Sequence, residues 1–246
     1  MKTRVIPILT AMALLVLAGC RRAPSEEALH TLELTPSPAA AQTEEPTPAP
    51  TPEPTPAPPP DAELPGRIEF KTYENAYFGL GCRLDRGWEF YSPAQIAALA
   101  GRPDASAEES GPLSREELFF AMLEENGAGY AMAASDGTVS VNMTVQDLGD
   151  GADARSVIAA ALEEMPEALL ETGINSLSLA SDQTQFAGRT VPRLTVSGSR
   201  DGTPVCQRIV AVEAFGRLAV ITAAADSTEA ADALLAAWYE VEIAAG

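Results

Sequence analysis

Three aspartates recur in QDLGDGADAR, Asp147, Asp150 and Asp153, with Gly149 and Gly151 between them. Oxygen ligands on a glycine-loosened loop are what calcium takes, which makes this loop the candidate metal site of the chain. The intervals depart from the EF-hand, whose alternating ligands end in a glutamate at the twelfth position. The competing account needs no ion: the loop leads into a helix with Asp153 as N-cap, and carboxylates are favourable beside the unpaired N–H groups there. Other chemistry is narrowed by what residues 67–246 lack. The single histidine, His30, lies upstream, so Ser-His-acid and Cys-His arrangements and histidine-bearing zinc centres are excluded from that part. Its 27 acidic residues leave a glycosidase-like carboxylate pair available, but spacing along the chain does not reveal the separation such chemistry needs. No catalytic residue is singled out and no cofactor is expected. Gly79-Leu80-Gly81 lacks the third glycine and the lysine of a phosphate loop. Tyr73, Tyr77, Phe78, Trp88 and Tyr91 form either an aromatic groove for a glycan or peptide or the core of a strand-rich body. Cys82 and Cys206 are either a disulfide or two small buried hydrophobes.

Thirteen of the twenty prolines fall between Cys20 and Gly66, in a tract ending TEEPTPAPTPEPTPAPPPDAELPG. Proline fixes φ, removes an N–H and pushes the preceding residue out of the helical region, so this stretch reads as an extended polyproline II spacer. At roughly 3.1 Å per residue its limit is about 140 Å. The chain therefore divides into residues 1–19, a linker at 20–66, and one body at 67–246 long enough for a single core. The net charge of −19 divides into +2, −6 and −15 over those three segments. A body that acidic repels phosphate backbones, so nucleic acid is not an expected partner.

Residues 1–19 open with Lys2 and Arg4, run apolar from Val5 to Ala18 apart from Thr10, and end on Gly19. That run is too short to span a bilayer and has the length of a secretory h-region. Leu17-Ala18-Gly19-Cys20 resembles the lipobox of bacterial lipoproteins. The resemblance implies cleavage before Cys20, diacylglycerol on its thiol, and a mature chain carried on the outer side of the cell membrane. Two acyl chains hold stably where one holds only reversibly. The expected partners are the bilayer, through acylated Cys20, and an unidentified protein or glycan. The expected role is a non-catalytic binding or envelope-assembly module. The alternative is a carboxylate-dependent enzyme acting on cell-envelope carbohydrate.

Apolar periodicity and turn residues place strands at Arg67 to Tyr73, Tyr77 to Leu84 and Trp88 to Tyr91. A helix starts at Ser92-Pro93, and a second follows the Ser114 and Glu117 capping box. A hairpin turns at Asp136-Gly137, with Val139, Val141, Met143 and Val145 on one face and Ser140, Asn142, Thr144 and Gln146 on the other. A helix from Asp153 to about Glu171 carries Pro166, which should bend or interrupt it. Four strands follow, at Ile174 to Ala180, Thr190 to Ser197, Thr203 to Glu213 and Arg217 to Ala224. A closing helix from Glu229 to Tyr239 turns Trp238 inward. The class is α+β, a central mostly antiparallel sheet with helices packed on one or both faces. YENAYFGLGCRLDRGWEFYS, with the element order after it, resembles the extracytoplasmic PsbP/Mog1-like fold family, which implies an α/β/α sandwich. That family lends no catalytic residues.

Overall fold

A computed structural model describes residues 59–102, 113–149 and 151–243. The leader, Cys20 and most of the linker lie outside the described residues. Packing begins earlier than the boundary expected at residue 67: Pro59, Leu64 and Pro65 are buried, and Asp61–Glu63 form a single 3-10 turn.

The strands are β1 Arg67–Glu69, β2 Thr72–Asn75, β3 Leu80–Arg83, β4 Glu89–Phe90, β5 Ala128–Ser135, β6 Ser140–Asp147, β7 Asn175–Phe186, β8 Arg189–Arg200, β9 Thr203–Ala214, β10 Arg217–Ala225 and β11 Trp238–Glu240. They make two antiparallel sheets, a small one in the order β1-β2-β3-β11 and a large one in the order β4-β5-β6-β10-β9-β8-β7. The helices are α1 Pro93–Leu99, α2 Arg115–Asn126, α3 Ala154–Glu171 and α4 Thr228–Ala236. The fold is α+β, as the sequence implies.

Local chemistry sets the helix ends. Ser92 with Gln95, Ser114 with Glu117, and Asp153 with Ser156 each close a reciprocal capping box, and Ser227 accepts from Ala230 N–H. Gly127, at φ 74°, ends α2 in the left-handed conformation that a side chain would resist.

Alternation along the strands then sorts the core. Val141, Met143, Val145, Val210, Val212, Ala219 and Ile221 turn toward the small sheet and α4. Leu194, Val196, Ile209, Ala211, Leu218 and Val220 turn the other way, under Val157, Ile158, Ala161, Met165 and Leu169 of α3. Ala128, Tyr130 and Ala133 of β5 meet Leu118 and Met122 of α2 and Ile96 of α1.

Four expectations are corrected. The strand expected from Arg67 to Tyr73 is a hairpin, β1 and β2, that turns at Phe70-Lys71. Helix α3 runs through Pro166 without interruption; Met165 and Leu169, both fully buried, hold both sides of the proline against the sheet. The closing helix stops at Ala236, and Trp238 anchors the core from strand β11, opposite Cys82. The hairpin of β7 and β8 continues to a turn at Ala187-Gly188, well past Ala180. Its outer half, SDQTQF, carries no apolar alternation and is registered by cross-strand polar pairs: Gln185 Nε2 donates to Thr190 Oγ1 at 2.7 Å, and Arg193 forks onto Asp182 at 2.8 and 2.6 Å.

Candidate functional site

The outer half of the β7–β8 hairpin lies beside the first turns of α3. Between that half and the first turns of α3 lie two adjoining cavities, of about 340 and 370 Å³, which share Arg155, Gln183 and Pro192. Together they form one open groove. Ser181, Gln183, Thr190 and Pro192 line its sheet side and Arg155, Ile158 and Ala159 its helix side, with Asp153 and Glu213 at one end.

The carboxylates bordering this groove are each held by a partner. Glu213 Oε2 accepts from Ala154 N–H at 2.9 Å, tying the end of β9 to the start of α3. Asp153 accepts from Ser156 N–H at 2.7 Å, and hydrogen bonds to Ser156 hold its carboxyl below the usual range. Asp182 is held low by its hydrogen bonds to Arg193. Glu117 and Asp136, elsewhere, are lowered in the same way by capping and turn hydrogen bonds. Arg189 donates to Phe78 O at 2.8 Å and Gly79 O at 3.3 Å, fixing the hairpin to the small sheet. The other polar groups on the groove include the Arg155 guanidinium, the Gln183 amide and the Ser181 and Thr190 hydroxyls.

On the same face of the large sheet, between the strands under α2 and those under α3, the polar side of β6 is buried. Asn142 is 5 % exposed, Gln146 3 %, and Thr144 is fully enclosed. The sequence places these residues on the polar face of the hairpin, opposite Val141, Met143 and Val145. Asn142 Oδ1 and Gln146 Nε2 have no hydrogen-bond partner. No sequence signal separates such a buried polar stripe from a solvated one, because both read as alternate Asn, Thr and Gln.

The sequence-derived candidates are dispersed. Asp147 pairs with Arg217, which also reaches Asp61 at 3.6 Å. Asp153 serves as the α3 cap, and Asp150 lies outside the described residues, as does Cys20. Among the described residues no three His, Cys, Asp or Glu side chains converge as a metal site. Tyr73, Tyr77, Phe78 and Trp88 are core residues and Tyr91 is half-buried, so the aromatics build the interior and not a groove.

The disulfide considered for Cys82 and Cys206 is not formed; both thiols are free. The two belong to different sheets, Cys82 in β3 between Tyr73 and Trp238, and Cys206 in β9 with its sulfur 4.0 Å from Thr228 Oγ1. Burial pushes the Cys82 thiol up to about 12. Iodoacetamide applied to the native, unreduced protein is therefore expected to label half-buried Cys206 and to label Cys82 at least about a hundredfold more slowly, with both reacting after unfolding. Mass mapping of the labelled peptides checks this; no label on either thiol before reduction would restore the disulfide.

No protein-family model matches the chain, and no curated protein matches it. Solved structures with some likeness include the cyanobacterial PsbP (CyanoP) of Synechocystis sp. PCC 6803, at 9 % identity and a TM-score of 0.42 over 71 % of this chain and 96 % of that one. LpqN, involved in cell envelope biogenesis of Mycobacterium tuberculosis, matches at 15 % identity and a TM-score of 0.31, over 64 % of this chain and 76 % of that one. A protein of unknown function from Pseudomonas aeruginosa matches at 17 % identity and a TM-score of 0.26, over 37 % and 61 %. At these TM-scores the likenesses carry no argument about function, and the functional reading rests on the chain's own residues.

Proposed function

We propose that this chain is a membrane-anchored extracytoplasmic lipoprotein whose body is a non-catalytic binding or envelope-assembly module. The groove between α3 and the β7–β8 hairpin is the surface where a protein or glycan is received. One observation carries the binding reading over the carboxylate enzyme: the acids bordering the groove are tied to Ser156, Arg193 and the α3 backbone. A general acid of the glycosidase kind needs a carboxyl pushed up by burial or by a second acid, whereas the shifted carboxyls here move down.

The anchor reading is supported by the residues around Leu17-Ala18-Gly19-Cys20 and by the proline-rich spacer that follows. No helix among the described residues is long and apolar enough to cross a membrane. Detergent-phase partitioning of the wild type beside Cys20→Ser is the test. The wild type is expected in the detergent phase and the variant in the aqueous phase. Equal aqueous partitioning of both would end the lipoprotein reading.

A further inference from the structure

One sheet edge differs from the others. β1, β4 and β11, which end the two sheets elsewhere, are two or three residues long, and each carries charge: Arg67 and Glu69, Glu89, and Glu240. Short, charged edges keep other chains from pairing with a sheet. β7 closes the large sheet with 12 residues, no proline, and Asp182 as its one charged side chain. A bulge at Ser176, at φ 54°, bounds the regular part, which runs from Ser178 to Phe186. Among the described residues no strand pairs with its outer side.

The direction of the free backbone groups follows from the turn. Phe186 and Arg189 close a two-residue hairpin, so the even-numbered residues of this run bond to β8, while Leu179, Ser181, Gln183 and Gln185 aim N–H and C=O outward. Pro192, which has no N–H, stands opposite Gln183, where that ladder asks for none.

The helix beside the edge continues it. Arg155 and Ala159 border β7 across the groove, and at about 3.6 residues per turn Leu162, Pro166 and Leu170 extend the same flank of α3. Leu170 is 54 % exposed, and Leu162, Leu177 and Leu179 are only partly buried. Of the acids on α3, the same periodicity turns Glu163 and Glu167 away from the sheet and Glu164 and Glu171 toward the opposite flank. β7 and β8 together set Asp182 against Arg189, Arg193 and Arg200, in a body of net charge −15. Other acids stand at the ends of this margin, Asp201 at one and Glu240, beside Gly188, at the other.

We propose that β7 and this flank of α3 form a homodimer interface, in which β7 pairs antiparallel with β7 of a second copy of the chain. The twofold axis of such a pair stands perpendicular to the sheet, so α3 meets α3 on one face, and Leu162, Pro166 and Leu170 cover their counterparts. A lone foreign strand would satisfy the edge and leave that flank of the helix in water, whereas a second copy covers both. Charge favours the same choice, because two bodies this acidic repel least where acids are fewest. The margin falls short of the roughly 20–30 residues a side of a stable interface, so association is weak. It needs no anchor, and the Glu213 end of the groove, two strands inward on β9, stays open.

The test is sedimentation equilibrium, in reductant, of the full chain carrying Cys20→Ser. Between about 1 and 300 µM the mean mass is expected to climb from monomer toward twice that value, with a midpoint in the tens of micromolar. Salt at about 0.5 M should tighten the dimer by screening the net charge. Ser181→Pro removes an outward N–H and spares the β8 ladder, and Leu170→Glu places a charge on the exposed flank. Each is expected to weaken association at least about tenfold, with the thermal midpoint of the dilute chain little changed, while Leu170→Met keeps the dimer. A chain that stays monomeric throughout, or a dimer indifferent to both substitutions, overturns the proposal. Detergent partitioning reports on the anchor separately, so the two readings can fail independently.

Discussion

Replacing Asn75 by alanine is expected to lower the stability of the body by about 3 kcal/mol or more. Asn75 is fully buried, and its amide joins three pieces of chain. Nδ2 donates to Leu64 O at 2.8 Å and to Tyr73 Oη at 3.0 Å, while Oδ1 accepts from Phe78 N–H at 3.1 Å. The first bond fixes the segment before β1. The last holds the turn from β2 to β3 by a bond from the side-chain carbonyl to the backbone N–H three residues on. Alanine removes all three bonds and takes from the Leu64 carbonyl and the Phe78 N–H the partners they have here. Each orphan costs about 1–3 kcal/mol. Aspartate is expected to be no better, since it keeps the acceptor, loses both donors and buries a charge. The check is urea unfolding followed by Trp88 and Trp238 fluorescence. The midpoint should fall with the slope unchanged; a shift worth under about 1 kcal/mol would contradict the role assigned to Asn75.

The second large effect is expected at Arg115, in the first turn of α2. Its side chain is 12 % exposed, and its guanidinium donates to Pro65 O and Ala131 O at 2.6 Å each, and to Gly66 O. One planar fork thus fastens the end of the linker to both α2 and β5. Arg115→Ala is expected to cost about 2–3 kcal/mol, since Gly66 O and Ala131 O lose this donor and Pro65 O keeps only the long bond from Tyr73 Oη at 3.4 Å. Arg115→Lys should recover only part of it, because a single ammonium cannot reproduce the fork. Hydrogen exchange separates this from general loosening. Amides of residues 61–66 should exchange faster than those of β9 and β10, whose protection should fall only by the global change. Uniform loss across the body would mean that Arg115 does not act as the fastener of that segment.

Both residues explain what the motif YENAYFGLGC means physically. Tyr73, Asn75, Phe78 and Cys82 converge on the small sheet and its turn, so the stretch most distinctive in the sequence is a folding device and not a ligand surface. It was legible because aromatic strands and glycine turns leave strong local signals. The helix starts at Ser92, Ser114 and Asp153 were legible for the same reason: a cap is a contact between near neighbours in the chain.

What stayed hidden depends on contacts across the sheet. The outer half of β7 is held by Asp182–Arg193 and Gln185–Thr190, pairs that become neighbours only when β8 folds back. Without them SDQTQ reads as loop. The groove beside Arg155 was illegible too, since its lining comes from α3, β7, β8 and β9 and contains no motif. The sequence puts Trp238 inside but on the closing helix, because ALLAAWYE continues a helical pattern and only pairing with β3 selects strand. Ser140 to Gln146 alternate as a half-solvated strand would, and the burial of Asn142 and Gln146 is set by distant parts of the fold.

The most direct test of the account is the intact mass and N-terminal sequence of the mature chain taken from membranes of the cells that make it. The account predicts a polypeptide starting at Cys20 with a diacylglyceryl mass on that residue. A mature chain that starts elsewhere and carries no fatty acid would contradict it.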